Sequence, residues 1–501
     1  MAKGTQHLVI RARAGTGKTA TIIDFVNYCI DSKYKPAYEP TDEQKEIHKK
    51  VPSGVEKIIY CAFNKSIAEE VQSKLPEGVE AKTLHSLGYS YLKSHFGKLK
   101  LSGDQNSFRM KELLGYKFKD RMSRDHFLLT TKVCKVVSLL KNFLLEGTKE
   151  NICQLVNHFG IDVNGSLDQV CKFAPQLLEA SHEHSGEIKY IDFDDMIYLP
   201  AKLGLVKKSF DLLIVDEAQD LNPAQHELVV RGAKQVLAVG DDKQAIYGFR
   251  GSDSNSINNL IDKLDGDVEE FPLTVTWRCP TSHVDAINNL VPDLKAAPNA
   301  IEGEIKNIDG DKIFENLSGE KSLVMCRTNA PLCQLAFQLI QRGTPCRIQG
   351  RDFGQGLISL IKKLDAKDIE SLLEKLANYE DREEARINKQ NQFSAETAIQ
   401  LLHDKCLCVK SLSEGVTETK YLIARIESLF DSSVRKDQVL LSSGHRAKGL
   451  EADDIFILRP DLLPHPMAKQ PWEQEQENNL YYVIHTRGMK RKFIVNPKNE
   501  S

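Results

Sequence analysis

The segment Ala12–Thr19 reads ARAGTGKT, and it is the feature that most restricts what this chain can fold into. A short apolar run, His7–Ala12, precedes it, and Thr19–Ile30 has helical periodicity, so the pattern predicts a strand, a tight loop and a helix. Gly15 and Gly17 allow the backbone to curl with its N–H groups directed at an anion. This order of elements is typical of a phosphate-binding loop in a parallel α/β sheet.

The polar side chains of this loop match the chemistry of a triphosphate bound with Mg²⁺. Lys18 supplies a point charge for the β- and γ-phosphates, and Thr19 offers a hydroxyl to the metal. The positive end of the following helix adds to the attraction. The backbone of four neighbours completes the predicted cradle: Ala14, Gly15, Thr16 and Gly17. Ala12 stands where the general pattern has glycine, and the alternative interpretation is a glycine-rich turn with a chance lysine.

Two acidic residues follow a later apolar run, Leu212–Val215. Asp216 and Glu217 would end a buried strand at its carboxyl end, the edge where α/β sheets bind ligands. The pattern predicts that Asp216 holds Mg²⁺ and that Glu217 polarises the attacking water. The alternative is a pair of acids that ends a strand and caps a helix. Together with the phosphate loop, the pair predicts ATP and Mg²⁺ as cofactors.

Alternating strands and helices predict two α/β domains, each interrupted by a mainly helical insertion. In the first half we expect strands at Lys57–Phe63, Val79–His85, Phe210–Val215 and Gln235–Gly240, with a helix at Ser66–Leu75. From about Gly88 to Tyr190 strands are absent and apolar residues recur at helical spacing. A second set starts near Asp267, with strands at Glu269–Leu273, Ser322–Cys326, Cys346–Gln349, Val439–Ser443 and Asp454–Leu458. A charged helical region at about 366–436 interrupts it.

Composition adds little. The chain is 41% hydrophobic and 27% charged, as is usual for globular proteins, and its net charge of −3 neither indicates nor excludes nucleic acid. The eleven cysteines are scattered, so we expect reduced thiols and no zinc site. We find no signal peptide and no apolar run long enough for a membrane span. We therefore expect a cytoplasmic or nucleoid-associated protein, or a nuclear one in a eukaryote.

Several motifs together resemble superfamily 1 helicases of the UvrD/Rep type. Asp216–Asp220 reads DEAQD, and Val239–Gly251 follows as VGDDKQAIYGFRG. Further segments of the same resemblance are Tyr60–Ser66, Lys82–Leu87, Ile191–Met196, Leu273–Pro280, Cys326–Asn329, Ser443–Glu451 and Leu480–Arg487. The amino-acid sequences of Tyr60–Ser66 and Lys82–Leu87 are most similar to those of the F-box DNA helicase branch, although no F-box segment is recognised.

The resemblance implies two RecA-like parallel-sheet P-loop NTPase domains. The first would comprise residues 1–88 and 191–266, with a helical insertion at 89–190. The second would comprise residues 267–365 and 437–501, with a reduced helical insertion at 366–436. In the large family members this second insertion is often regulatory. We recognise no nuclease constellation after the helicase motifs.

The resemblance also assigns roles at the nucleotide. Gln244 would sense the γ-phosphate, and Glu451 would bind the ribose. Arg278 and Arg487 would neutralise charge on the transferred phosphoryl group when an interdomain cleft closes. Trp277 stands where the family usually has tyrosine, and either ring can stack on adenine. The alternative for each arginine is a surface salt bridge.

For DNA, the resemblance implies stacking rings at Phe63 and Phe249, the latter in place of a more common tryptophan. Stacking on aromatic rings is tolerant of sequence and suits a translocase. Backbone and base contacts are implied for Tyr247, Arg250, Thr83, His85 and His445. The alternative for the aromatic residues is core packing, and His85 is equally consistent with a satisfied core histidine.

The expected function is an ATP-dependent DNA helicase that moves on single-stranded DNA and acts at junctions of single and double strands. The 3′ to 5′ polarity comes from the family alone. Two alternatives stay open: a translocase that displaces proteins without unwinding, and a non-catalytic DNA-binding scaffold. RNA also stays open as a substrate, because nothing in the sequence reads a 2′-hydroxyl clearly.

The chain departs from the family pattern in the residues that would contact the adenine base. Family members carry an adenine-reading glutamine about twenty residues before the phosphate loop, and here only Gln6 precedes it. The segment Pro40–Glu46 has the look of that motif but follows the first helix. Gln44 is therefore either a displaced adenine contact or part of an ordinary solvated helix start capped by Thr41. Ala20 stands where the family has arginine.

Overall fold

Two six-stranded sheets, both parallel throughout, organise the chain. The computed structural model describes residues 6–117, 119–159, 161, 163, 165–182, 189–246, 255–390, 395–431, 437–466, 468 and 470–497. Unit 1 comprises the chain up to Arg13 together with Gly17–Leu273, and unit 2 comprises Ala14–Thr16 together with the chain from Thr274 onward. The prediction of an α/β protein with two parallel sheets is confirmed.

Unit 1 holds the first sheet, with the strand order β3-β2-β6-β7-β1-β8. Its strands are β1 (Gln6–Ala12), β2 (Ile58–Ala62), β3 (Glu80–Thr83), β4 (Leu99–Leu101), β5 (Lys189–Ile191), β6 (Phe210–Val215), β7 (Ala233–Gly240) and β8 (Asp267–Leu273). Its helices are α1 (Lys18–Ile30), α2 (Asp42–His48), α3 (Lys65–Gln72), α4 (Leu84–Phe96), α5 (Gln105–Leu113), α6 (Arg124–Phe143), α7 (Lys149–His158), α8 (Leu167–Ala180), α9 (Asp195–Lys202), α10 (Pro223–Gly232) and α11 (Ser256–Ile261).

The central strands of this sheet are buried on both faces, which explains their nearly continuous apolar sequences. Side chains alternate between the faces along each strand. On β6, for example, Leu213 and Val215 join one core cluster, while Leu212 and Ile214 join the cluster on the opposite face. Each such side chain contributes about 1.5–3 kcal/mol through burial. This core fixes the carboxyl ends of β1, β6 and β7 at one edge of the sheet.

One strand that was predicted for the second α/β domain belongs to the sheet of unit 1. Asp267–Leu273 pairs in parallel with β1 over seven residues, with Leu273 opposite Ala12. As an edge strand it exposes much of its length, and within it only Leu273 is buried. Its sequence therefore lacks the apolar run of a central strand, and its partner could not be read from local pattern. The assignment of Glu269–Leu273 to the second α/β set is wrong, while the six-segment division as a whole stays a prediction.

Two further local predictions need correction. The strand expected at Val79–His85 stops at Thr83, because the Thr83 hydroxyl accepts the backbone N–H of Ser86 and starts α4, which places His85 in a helix. The region expected to lack strands contains β4, which pairs with β5 about ninety residues later in the chain. Strands of three residues are too short to produce a detectable alternation.

The helices between β4 and β5 form their own apolar cluster. On α6, Val133, Val136, Val137 and Leu140 lie on one fully buried face, as their spacing predicts. They pack with residues of α7, α8 and α9, so this helical region has a core of its own.

Unit 2 holds the second sheet, with the strand order β11-β16-β15-β12-β14-β13. Its strands are β9 (Val275–Thr276), β10 (Lys295–Ala296), β11 (Glu304–Asp309), β12 (Ser322–Cys326), β13 (Cys346–Ile348), β14 (Val439–Ser443), β15 (Ala452–Leu458) and β16 (Gly488–Asn496). Its helices are α12 (Thr281–Asp285), α13 (Ile313–Asn316), α14 (Ala330–Gln341), α15 (Arg351–Leu364), α16 (Ile369–Gln390), α17 (Ala395–Ser413), α18 (Thr419–Leu429) and α19 (Pro471–His485).

The sequence missed β11 and β16. β11 is an exposed edge strand, and β16 mixes apolar residues with charged ones, so neither has a clear pattern. The helical region between β13 and β14 packs on the sheet of its own unit, since Leu372, Cys406 and Leu422 join the same core cluster as the strands. In the described part of the chain, no helix has the length and apolar character needed to cross a membrane.

Buried histidines make the stability of the fold sensitive to acid. Burial lowers the pKa of His226 to about 3 and that of His283 to about 4, and both side chains are within the cores. The unfolded chain, with histidine pKa values near 6.5, binds more protons than the folded chain below that pH. These groups therefore stabilise the fold fully above pH 6.5 and progressively less as the pH falls toward 4.

We expect the urea midpoint of unfolding to fall as the pH is lowered from 7.5 to 5. The His226→Gln variant is expected to weaken this dependence, because an amide does not gain a proton. Four aspartates act in the opposite direction, since burial raises the pKa values of Asp194, Asp195, Asp216 and Asp241, but the histidines with lowered pKa values outnumber them. An unchanged or rising midpoint at pH 5 would contradict the expectation.

Candidate functional site

The phosphate loop enters α1 through a backbone conformation that requires glycine. Gly17 has φ 79°, in the left-handed region, and Lys18 is the first residue of the helix. No side chain of the N-cap residue Gly17 caps this helix, and a helix N-terminus of this kind attracts an anion. Within unit 1, a methyl group added at Gly17 would meet only the Gln44 amide, at 3.7 Å. The loop geometry is that expected of a phosphate cradle.

Lys18 lies beside the acidic residues that end β6. Its Nζ donates to Glu217 Oε1 at 3.2 Å, and the Gln219 amide donates to the other oxygen of Glu217. Glu217 has φ 55°, a left-handed conformation that is rare for a residue with a side chain. Such backbone strain persists where the surroundings enforce it, and it is common at functional sites. The ion pair joins the lysine and the acid that the sequence proposed for one reaction.

Asp216 is held on both of its oxygens. Tyr60, on the neighbouring strand β2, donates its hydroxyl to Asp216 Oδ2 at 2.7 Å, and the Glu217 N–H donates to Oδ1 at 2.8 Å. Burial raises the pKa of Asp216, and the adjacent Glu217 raises it further, while Lys18 and Tyr60 lower it. The carboxylate is thus oriented at the edge of the sheet in a site that favours a cation beside it.

Gln244 belongs to the same network. Its Nε2 donates to Asp241 Oδ2 at 2.7 Å, and the Asp241 N–H donates to Gln219 Oε1 at 2.9 Å. Arg13 donates to both Asp241 and Asp242, at 3.0 and 2.6 Å. Gln219 therefore connects the acids after β6 to the segment after β7, and Arg13 connects that segment to the end of β1.

The oxygen donors fit a magnesium ion that is bound together with phosphates. Mg²⁺ prefers carboxylate and hydroxyl oxygens and is usually held by one or two protein groups plus the phosphates of the substrate. Asp216 and the Thr19 hydroxyl are donors of that kind in unit 1. Among the described residues, no group of three or more histidine, cysteine or acidic side chains is arranged to hold a metal alone.

Gln44 is a buried helix residue rather than a solvated one, and its contact with adenine stays a prediction. Thr41 caps α2 as one interpretation predicted, and the Gln44 carbonyl accepts the Thr41 N–H in return. Yet Gln44 is only 2% exposed, and its Nε2 donates to the Thr21 hydroxyl on α1 at 2.8 Å. Because both ends of the amide are occupied, the side chain braces α1 against α2.

In unit 2, the residues Ala14–Thr16 lie against the segment that carries Trp277. The Trp277 N–H donates to the Gly15 carbonyl at 2.8 Å, and the Ala14 N–H donates to the Tyr482 hydroxyl at 2.7 Å. The Trp277 side chain is 51% exposed. The Trp277 ring is therefore open to solvent, and its stacking on a base stays a prediction.

The other predicted residues of unit 2 make contacts within that unit. Arg278 donates through Nε to Glu451 Oε2 at 2.8 Å, so the proposed finger and the proposed ribose ligand pair with each other. Arg487 is 1% exposed, and its guanidinium donates to the Val483 and Leu450 carbonyls and to the Thr486 hydroxyl. A surface salt bridge, the alternative for Arg487, does not describe this buried side chain.

Some of the residues that were proposed to contact DNA lie within the part of the chain that the structure describes. Phe63, after β2, is 40% exposed, so core packing does not account for it. Thr83 caps α4, and the His85 ring stacks on Phe193, with centroids 4.1 Å apart and planes at 27°. Burial lowers the pKa of His85 to about 4. Phe193 itself is 56% exposed, which leaves much of its ring open.

His445 lies in the short 3-10 turn Gly444–Ala447 of unit 2, half-buried, and burial lowers its pKa to about 4. Tyr247, Phe249 and Arg250 lie outside the described residues.

Sequence reasoning missed four residues that the structure places in or beside these networks: Arg13, Tyr60, Phe193 and Gln219. Each lies inside or next to a motif that was recognised, but no role was given to it. Arg13 is an unusual charge within the phosphate loop, and Phe193 is a lone aromatic residue between acids, which are signals that could have been used. The partners of Tyr60 and Gln219 depend on strand pairing and leave no local signal.

Two family models match the chain. The UvrD/REP helicase N-terminal domain matches residues 1–265, and the UvrD-like helicase C-terminal domain matches residues 365–499. The chain belongs to the UvrD/Rep helicase family. The resemblance inferred from the motifs is thereby confirmed.

Individual relatives are distant. The F-box DNA helicase protein 1 of Schizosaccharomyces pombe is 22% identical over 97% of this chain and 55% of its own length. The F-box DNA helicase 1 of Gallus gallus is 24% identical over 97% of this chain and 47% of its own length. The ATP-dependent DNA helicase Rep of Buchnera aphidicola is 28% identical over 56% of this chain and 42% of its own length. The chain thus spans about half the length of the F-box relatives it matches.

Proposed function

We propose that this UvrD/Rep-family chain is an ATP-driven helicase that moves along single-stranded DNA, with 3′ to 5′ polarity. One observation carries the proposal: Lys18, Glu217, Gln219, Asp241 and Gln244 form one hydrogen-bonded network at the carboxyl edge of the first sheet. Such a network brings a phosphate-binding lysine, a base and a γ-phosphate sensor into one place. ATP with Mg²⁺ is the cofactor that fits these groups.

In the proposed reaction, ATP replaces Glu217 as the partner of Lys18. Glu217 is then free to orient and polarise the attacking water, and Gln244 contacts the γ-phosphate. Bound Mg²⁺ supplies electrostatic stabilisation of the phosphates, with Asp216 and Thr19 as its protein donors. The phosphate loop, from Ala14 to Thr19, binds the remaining phosphate oxygens through backbone N–H groups.

The arginines of unit 2 supply the coupling in this proposal. Arg278 leaves Glu451 for the phosphate, and Glu451 becomes free for the ribose. Arg487 stabilises charge in the transition state, and Trp277 stacks on the adenine. Closure of a cleft between the two RecA-like domains would bring these groups to the nucleotide, so that hydrolysis drives movement.

The proposed DNA track uses exposed rings in unit 1 together with polar contacts. Phe63 and Phe193 offer stacking surfaces, and the Phe193 ring is oriented by His85. Thr83, His445 and the residues Tyr247, Phe249 and Arg250 are the other proposed contacts. Single-stranded DNA and its junctions with duplex are the proposed substrates.

Phe193→Ala is expected to weaken single-stranded DNA binding about tenfold, because one base stack contributes about 1–3 kcal/mol. Binding to a labelled oligonucleotide measures the effect. Phe127→Ala is a matched control, since Phe127 is another exposed phenylalanine of unit 1, at 59%, on α6. If both variants bind like the unmodified protein, Phe193 is not a DNA contact.

The proposed function is tested by ATP hydrolysis with and without single-stranded DNA, and again with single-stranded RNA. We expect strong stimulation by DNA. Basal hydrolysis that responds to neither nucleic acid would contradict the motor.

Strand displacement is measured in parallel with displacement of a protein bound to the same DNA. Unwinding of duplexes with a 3′ single-stranded tail, but not of those with a 5′ tail, is the expected polarity. Protein displacement without strand separation would favour a translocase.

A further inference from the structure

The hydroxyl of Tyr60 makes a contact that core packing does not require. Tyr60 is fully buried on β2, opposite Ile214 of β6, and its ring lies in an apolar cluster of unit 1. A phenylalanine would fill the same space. The hydroxyl adds one feature, a 2.7 Å hydrogen bond to Asp216 Oδ2.

The bond has a defined direction. The ionised carboxylate of Asp216 can only accept, so the phenol must donate. A phenol has an ordinary pKa of about 10, so the hydroxyl is protonated at neutral pH. Tyr60 is therefore a permanent donor to this carboxylate.

Two donors together fix the orientation of the carboxylate. The Glu217 N–H occupies one direction at Oδ1, at 2.8 Å, and Tyr60 occupies one direction at Oδ2. A carboxylate oxygen has two acceptor directions, so each oxygen keeps one direction for a further ligand. Without Tyr60, the side chain could rotate away from that arrangement.

We propose that Tyr60 is a positioning residue that orients Asp216 toward the magnesium ion of the bound nucleotide. This inference rests on the proposed function, in which Asp216 is a protein donor to Mg²⁺. Ligating carboxylates are commonly fixed by outer hydrogen bonds, and loss of such a partner typically lowers metal affinity about 10- to 100-fold.

The test compares Tyr60→Phe with Tyr34→Phe. Tyr34 donates its hydroxyl to Asp24 Oδ1 at 2.8 Å, so the control removes the same kind of bond from another carboxylate of unit 1. The readout is binding of a fluorescent ATP analogue, titrated with Mg²⁺. For Tyr60→Phe, we expect the half-saturating Mg²⁺ concentration to rise about tenfold. Nucleotide affinity in EDTA should stay within about twofold of the unmodified protein, because the phosphate loop is intact.

The outcomes separate the inference from the function on which it rests. Equal Mg²⁺ dependence in Tyr60→Phe and the unmodified protein overturns the role of Tyr60 and leaves the proposed function standing. If the unmodified protein binds the nucleotide equally well with and without Mg²⁺, that result contradicts the proposed function itself. A similar rise of the half-saturating Mg²⁺ concentration in Tyr34→Phe overturns the inference, because loss of any tyrosine–carboxylate hydrogen bond would then have the same effect.

A folding control accompanies the titration, with the urea midpoint measured for each variant. If Tyr60→Phe does not fold, replacement of Tyr60 by 4-aminophenylalanine, which retains an N–H donor, carries the test. That variant is expected to bind Mg²⁺ and nucleotide within about threefold of the unmodified protein, since the donor to Asp216 is kept. A tenfold loss in that variant would overturn the inference.

Discussion

Lys18→Ala is expected to lower ATP turnover about 10²- to 10³-fold, the scale on which one preorganised donor to a developing charge contributes. Lys18 begins α1 and lies 3.2 Å from Glu217, with its side chain 14% exposed. In the proposed reaction its ammonium moves to the β- and γ-phosphates, and the other positive side chain of the segment, Arg13, is engaged by Asp241 and Asp242. Steady-state hydrolysis with saturating DNA measures the loss.

The matched control for this variant is Lys50→Ala. Lys50 forms a half-exposed ion pair with Glu269 at 2.6 Å in the same unit and is not part of the phosphate loop. We expect it to hydrolyse ATP at nearly the normal rate, because an exposed pair contributes little. If Lys18→Ala retains more than about a tenth of normal turnover while folded, the assignment of the phosphate site is wrong.

Arg487→Ala is expected to reduce turnover about 10³-fold or more while nucleotide binding is largely kept, as for other arginine fingers. The separation arises because a finger acts on charge that develops in the transition state and contributes little to the ground state. Binding of an ATP analogue and single-turnover hydrolysis measure the two effects independently. Near-normal turnover would remove the finger assignment.

The burial of Arg487 calls for a control on stability. Its guanidinium binds two backbone carbonyls of unit 2, so the alanine variant leaves them without this donor and is expected to unfold at lower urea. Arg491→Ala removes an arginine from the same part of the chain, where it pairs with Asp454. That variant should hydrolyse ATP normally, which would show that loss of an arginine in this region does not by itself stop turnover.

Local motifs predicted much of the candidate site, because its groups follow directly from the ends of strands. Lys18, Asp216 and Gln244 each come after a buried apolar run, and the carboxyl ends of parallel strands meet at one edge. The side chains of Lys18 and Gln244 join one hydrogen-bonded network, and Asp216 adjoins it through the backbone N–H of Glu217. Glu217 was predicted as well, but Gln219 was not, since its contacts depend on how β6 and β7 lie side by side.

The exposed edges of the sheets were the least predictable part of the fold. β8 was placed with the wrong half, and β11 was missed, because a half-exposed edge strand needs no apolar pattern. Gln44 gives a similar example in a helix. Its capping role could be read from Thr41, but its hydrogen bond to Thr21 depends on how α1 and α2 pack.

By itself, the sequence determined the phosphate loop, the acidic strand end, the parallel α/β architecture and the family. Each of these features depends on residues that are adjacent in the chain, because glycine conformation, strand burial and helix periodicity act over a few positions. Only the tertiary structure decided that Arg278 pairs with Glu451, that Tyr60 holds Asp216 and that Phe193 stacks on His85. Those contacts join residues far apart in the chain, and strand order and helix packing alone bring them within bonding distance.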